Sequence, residues 1–167
     1  MGSGKSTIGK LLAEKLGMDF IDFDRHIEQE TGKTIPEIFD MEGEDTFRLL
    51  EHEYLKKLLD KDRVVIALGG GTPCFHNNME LINKNGTSVY ISMSVDTLVK
   101  RVSKARNKRP LIRDLNDVDL KYFIETNLEK RLPDYRQAHL SVCAEDMNAE
   151  QVAEVIRKSV EKNESKK

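Results

Sequence analysis

At 167 residues the chain has the length of one domain, enough to bury a sizeable core. Its 27 basic and 29 acidic side chains leave a net charge of −2, so no global basic field points to nucleic acid, and any anion must be held by local clusters of arginine. No apolar run approaches the roughly 18 residues of a membrane span, and no secretory leader pattern is present. Cys74 and Cys143 have no metal-type spacing and read as buried or incidental thiols of a cytoplasmic, enzyme-like domain.

The chain opens on Gly2-Ser3-Gly4-Lys5-Ser6-Thr7, the back half of the phosphate-loop pattern G-x-x-x-x-G-K-[ST]; the first glycine would lie five positions before Gly4, upstream of Met1. Glycines there let successive backbone N–H groups turn toward a phosphate, and the following helix N-terminus adds partial positive charge. In that pattern Lys5 reaches the β- and γ-phosphates of a nucleoside triphosphate, and the Ser6 hydroxyl holds Mg2+. The plain alternative is a Gly/Ser turn capping an amphipathic helix, since Ile8, Leu11, Leu12 and Leu16 recur at helical spacing.

After a helix over 4–16, the residues predict a strand over 18–23 and helix through 25–60, interrupted near Gly32 and Gly43. A buried strand over 64–68 follows, ended by Gly69, Gly70 and Gly71; then come a helix over 75–84, a strand over 88–92 and a helix over 95–104. A polar stretch over 105–117 leads to a helix over 120–136, a strand over 140–144 and a helix over 149–161. Strands alternating with helices argue for a parallel sheet covered on both faces, with ligands at the carboxyl ends of the strands.

Asp22 and Asp24, one residue apart at a predicted strand end, would leave on the same face. Two carboxylates there need a cation or a proton to coexist, which a metal-bound phosphate and a substrate hydroxyl would supply. The alternative is an Asp-rich turn in which Asp24 caps the next helix. The triple glycine could present bare backbone N–H groups to a ligand, or be a plain turn. Arg48 lies among charges that read as a solvated helix face. Arg109 precedes Pro110 in the polar stretch, which has the composition of a mobile lid, and Arg131 lies near a helix end. Composition alone does not nominate these three arginines over the others.

A resemblance does. The loop at 2–7, Phe20-Ile21-Asp22-Phe23-Asp24, Ile27-Glu28-Gln29-Glu30-Thr31-Gly32, Ile35 with Ile38-Phe39, Gly43-Glu44, Phe47-Arg48 and Glu51 run in order along the chain. Leu68-Gly69-Gly70-Gly71, Arg109-Pro110-Leu111 and Arg131-Leu132-Pro133-Asp134-Tyr135 continue the series. Together they resemble the shikimate kinase family. The resemblance implies a three-layer α/β phosphate-loop kinase fold, with a parallel sheet in the order 2-3-1-4-5 and helices on both faces. It implies transfer of the γ-phosphate of ATP to the 3-hydroxyl of shikimate, on the route to chorismate and the aromatic amino acids.

Residue roles follow from the same resemblance. The loop Gly2, Ser3, Gly4, Lys5, Ser6 and Thr7 would bind ATP, with Lys5 neutralising the transferring phosphoryl group. Ser6 and, through water, Asp22 would hold Mg2+. Asp24 would hydrogen-bond the attacking hydroxyl as base or orienter. Arg48 and Arg131 would clamp the substrate carboxylate, which a planar fork suits better than lysine. Gly70 and Gly71 would bind substrate through backbone N–H groups. Arg109 would come from the lid to stabilise charge around the γ-phosphate, and Arg101, with Arg106 as the alternative, would stack on adenine.

The whole chain, 1–167, is expected to form a single kinase domain, with a substrate-binding helical segment over about 25–61 and a lid over about 105–117. It is expected to act as a monomer on ATP and shikimate, without nucleic acid or membrane. The resemblance also implies an apolar strand ahead of Met1, central in the order and flanked by the strands over 64–68 and 88–92; a longer working protein is therefore expected. Two other readings stay open: a gluconate-type small-molecule kinase on the same loop, and a nonproductive nucleotide-binding fragment.

Overall fold

The structure, a computed structural model, describes residues 2–104 and 115–164. Helix α1 (Lys5–Leu16) begins behind Gly4, which takes a left-handed conformation at the cap, and ends at Gly17, also left-handed. Strand β1 (Asp19–Asp22) feeds directly into α2 (Phe23–Thr31), capped by the Asp22 side chain. Helix α3 (Ile35–Leu58) starts with a capping box, in which Thr34 and Glu37 each satisfy the other's backbone N–H, and breaks at Gly43. Then come β2 (Val64–Ala67), a 3-10 turn over Thr72–Cys74, α4 (Asn78–Asn85), β3 (Val89–Ser92) and α5 (Val95–Ser103). Helix α6 (Asp117–Tyr135), capped by Asn116, β4 (Leu140–Cys143) and α7 (Ala149–Glu164) complete the described chain.

Both strand pairs among the described residues are parallel, as alternation with helices predicts. β1 pairs with β2, Asp19 opposite Val64 through Asp22 opposite Ala67, and β3 pairs with β4, Val89 opposite Leu140 through Ser92 opposite Cys143. Among the described residues these form two separate two-stranded sheets. Strands β2 and β3 line one cavity of about 1150 Å³. In the order 2-3-1-4-5 that the resemblance implies, β1 and β2 take the places numbered 2 and 3 and β3 and β4 those numbered 4 and 5, with the cavity between the two pairs.

Helix α1 spans the division, packing against β1 and β2 on one side and α7 on the other; α7 in turn packs on β4. Ile8 and Leu12 of α1 join Leu98, Val102, Leu120, Ile124 and Ile156 in one buried cluster. A second cluster, built from Phe23, Ile27, Ile38, Phe47, Leu55 and Leu58, fixes α2 and α3 beside the carboxyl ends of β1 and β2.

Helix was predicted from residue 75, but a 3-10 turn and left-handed His76 and Asn77 delay α4 to Asn78. Of the thiols read as buried or incidental, Cys143 is exposed and Cys74 half-buried; both are free.

Candidate active site

The phosphate loop has the shape its glycines allow. Gly2 and Gly4 both lie at φ 82°, in the left-handed region, and a Cβ on Gly2 would come within 2.7 Å of Val102 Cγ2. The α1 ladder closes first from the Ile8 N–H to the Gly4 carbonyl at 3.0 Å, so the preceding N–H groups lie outside it, as at any helix N-terminus that can receive an anion. No acidic residue occupies the first turn of α1, which keeps the end electropositive around Lys5 and Ser6.

Asp22 and Asp24 do not share a strand face. β1 ends at Asp22, and Asp22 rather than Asp24 is the cap, its Oδ1 accepting the Arg25 N–H at 3.4 Å. Asp24 therefore stands in the first turn of α2. Burial pushes its carboxyl above the ordinary carboxylate range; Lys5 and Arg48 pull it back, while Asp22 and Glu28 push it further up. Asp24 also touches the glycine turn: a Cβ on Gly69 would fall 2.7 Å from its Oδ1.

Arg48 is 8% exposed, not on a solvated face. Its Nη1 donates to Glu51 Oε2 at 2.6 Å, while Nε and Nη2 donate to Glu44 Oε1 at 3.1 and 2.8 Å. The guanidinium lies 4.4 Å from the Phe75 ring centroid and 5.3 Å from that of Phe47, so aromatic faces as well as carboxylates hold it. Glu51 is 1% exposed, and its second oxygen accepts the Thr72 hydroxyl. A fully buried carboxylate is thus satisfied by a cation and a hydroxyl. Gly71 lies against the guanidinium so closely that a Cβ would meet Nη1 at 2.6 Å.

Arg131 is carried by α6. Tyr135, one turn further along, donates from its hydroxyl to the Gly70 carbonyl at 2.6 Å, which ties α6 to the glycine turn. The Cys74 thiol, beside Arg131 and Asp134, is pushed up to about 11, first by burial and then by the Asp134 charge. Arg101, in the last turn of α5, lines the same cavity as the phosphate loop, Asp24, Arg48, Gly70 and Arg131. Arg109 and its neighbour Arg106 lie outside the described residues.

Asn78 escaped the sequence reading. It is fully buried; its Nδ2 donates to the Thr72 carbonyl at 2.8 Å, and its Oδ1 bonds the His52 ring at 2.7 Å, bracing the turn from behind. A polar asparagine inside a predicted helix gives no signal of this. For Glu51 a signal exists, an acid three residues after an arginine on one helix.

A metal ion has modest support to draw on. Among the described residues no group of three or more His, Cys, Asp or Glu side chains is arranged to hold one. Ser6 lines the cavity, whereas Asp22 ends β1 and spends Oδ1 on capping α2; Mg2+ needs only one or two protein oxygens and completes its shell from phosphates and water. No helix among the described residues is long and apolar enough to cross a membrane.

Comparison with known proteins decides which chemistry this geometry serves. The family model for shikimate kinase matches residues 1–161. The chain belongs to the shikimate kinase family. It is 43% identical over 155 residues to a shikimate kinase of Azobacteroides pseudotrichonymphae, covering 92% of this chain and 91% of that one. A solved shikimate kinase from Bacteroides thetaiotaomicron superposes with a TM-score of 0.92 at 38% identity, over 96% of this chain and 94% of that one. One from Acinetobacter baumannii, solved in complex with shikimate, gives a TM-score of 0.86 at 35% identity, over 98% and 89%. These likenesses bear out the phosphate-loop kinase fold expected from the sequence.

Proposed function

We propose that this chain phosphorylates the 3-hydroxyl of shikimate with ATP, giving shikimate 3-phosphate and ADP. The observation that carries this reading is the convergence of Asp24 and Arg48 on one glycine turn, across the same cavity as the phosphate loop. An acid for the acceptor hydroxyl and a fork for its carboxylate then stand beside the phosphoryl donor. Family membership gives the acceptor its name.

In this reading the first turn of α1 and Lys5 bind the phosphates of ATP, and Arg101 flanks the adenine. Mg2+, held by Ser6 and through water by Asp22, would neutralise phosphate charge. Arg48 and Arg131 take the shikimate carboxylate, with Gly70 and Gly71 N–H groups alongside. Asp24 accepts the proton as the hydroxyl oxygen bonds phosphorus and ADP leaves. The helical segment over about 25–61 supplies the acceptor side and the stretch over about 105–117, with Arg109, acts as the lid. The working form in this reading is a cytoplasmic monomer that uses no membrane, and the absence of a net basic charge fits a role without nucleic acid.

The test is ADP release with Mg-ATP, with and without shikimate, gluconate serving as control acceptor. Shikimate-dependent turnover is expected, and Arg48→Lys should raise KM for shikimate by roughly 10- to 100-fold, the scale of a charged hydrogen-bond pair. Turnover with gluconate alone would favour the other small-molecule kinase. Nucleotide binding without turnover on either acceptor would favour a nonproductive fragment.

A further inference from the structure

The three glycines of the turn are not held alike. The Gly69 carbonyl accepts the Thr72 N–H at 3.3 Å and the Gly71 carbonyl accepts the Cys74 N–H at 2.9 Å, so both are bonded within the turn itself. The Gly70 carbonyl instead accepts from a side chain on a distant element, the Tyr135 hydroxyl of α6, at 2.6 Å. That carbonyl belongs to the same planar peptide group as the Gly71 N–H. In a trans peptide the two point in opposite directions, so fixing one fixes the other. With glycine on both sides, no Cβ opposes rotation of this peptide as a unit.

We infer that Tyr135 is a positioning residue for the acceptor substrate, acting by locking the Gly70–Gly71 peptide with its N–H turned toward the site. The inference rests on the reading that the Gly71 N–H binds shikimate beside the carboxylate clamp of Arg48 and Arg131. The tyrosine ring packs on Tyr90 with centroids 5.0 Å apart, so the hydroxyl is aimed by a fixed ring. Burial holds that hydroxyl above the ordinary tyrosine range, although Arg131 works against it, and it remains a donor at neutral pH. Arg131 stands four residues earlier on the same helix. One tyrosine therefore sets the distance between the arginine fork and the backbone N–H that are to hold one substrate.

Tyr135→Phe keeps the ring and removes only the tether. It should raise KM for shikimate by roughly 3- to 10-fold, the scale of one neutral hydrogen bond. KM for ATP and kcat at saturating shikimate should stay near the wild type's, in assays run well below the thermal midpoint of both proteins. A merely structural role would move the midpoint without splitting the two KM values. Arg131→Lys, assayed in parallel, separates the tether from the site it serves. If it raises KM for shikimate while Tyr135→Phe leaves it unchanged, the locked peptide is wrong and the carboxylate site stands. If neither changes KM for shikimate, the carboxylate site is wrong and the inference falls with it.

Discussion

Burial lifts the Asp24 carboxyl above its ordinary range, so the charge that its proposed role as base requires is carried against the fold. A carboxyl whose folded value is raised keeps its proton, as pH climbs, after the unfolded chain has released its own. The destabilisation grows between the ordinary value and the raised one and is complete above it. Asp24→Asn removes the charge and keeps the shape. Turnover is expected to fall by about 10²- to 10⁴-fold, the usual worth of a positioned acid or base. The thermal midpoint at pH 7 should equal or exceed the wild type's, with the difference shrinking as pH falls through the acid range. Near-normal turnover, or a lower midpoint at pH 7, would sink this account. Arg48 shows why residue roles were only partly legible. Glu44 and Glu51, at i−4 and i+3, look in sequence like the partners of a solvated helix. The Phe75 ring that closes over the guanidinium comes from beyond β2, where no local pattern could reveal it.

At the scale of elements, α3 is two helices merged across Gly43, whose φ of 83° and ψ of 169° lie where a side chain is strained. The sequence marked the break at Gly43 but not its use. The bend restarts the helix at Glu44, which reaches one turn on to the outer edge of Arg48. A Cβ at Gly43 would meet open space, so Gly43→Ala isolates backbone strain from crowding. It should cost about 1–3 kcal/mol. For a chain of this size that lowers the thermal midpoint by roughly 2–4 °C per kcal/mol. A midpoint at or above the wild type's would show that the helix passes straight through. Element types were legible because period and length distinguish short β-branched runs from amphipathic helices. Ends were less so. β1 stops at Asp22 since that carboxylate caps α2, and the same residues also fit a strand running to 23.

For the molecule as a whole, parallel pairing and the meeting of the site at strand ends were legible from alternation alone. Which residues face one another across the site was not, because the turn at 69–72 is assembled by Glu51, Asn78 and Tyr135 from three separate helices. The same scale holds a feature that can be measured directly. Each parallel strand sends alternate N–H groups to opposite sides. β2 and β3 spend one side on β1 and β4, while their other sides look into the shared cavity without a strand partner among the described residues. Helices α1 and α7 bridge the two sheets, and the Lys15 to Glu150 ion pair at 2.6 Å links those helices, but neither supplies a ladder. In the 167-residue chain taken by itself, amide exchange should therefore alternate along 64–67 and 89–92: residues bonded to β1 or β4 slow, their immediate neighbours faster by orders of magnitude. Saturating ATP and shikimate, which engage the loop and the strand ends, should leave that alternation in place. Uniformly slow exchange across both strands would mean that a further chain segment pairs with the cavity edges in solution.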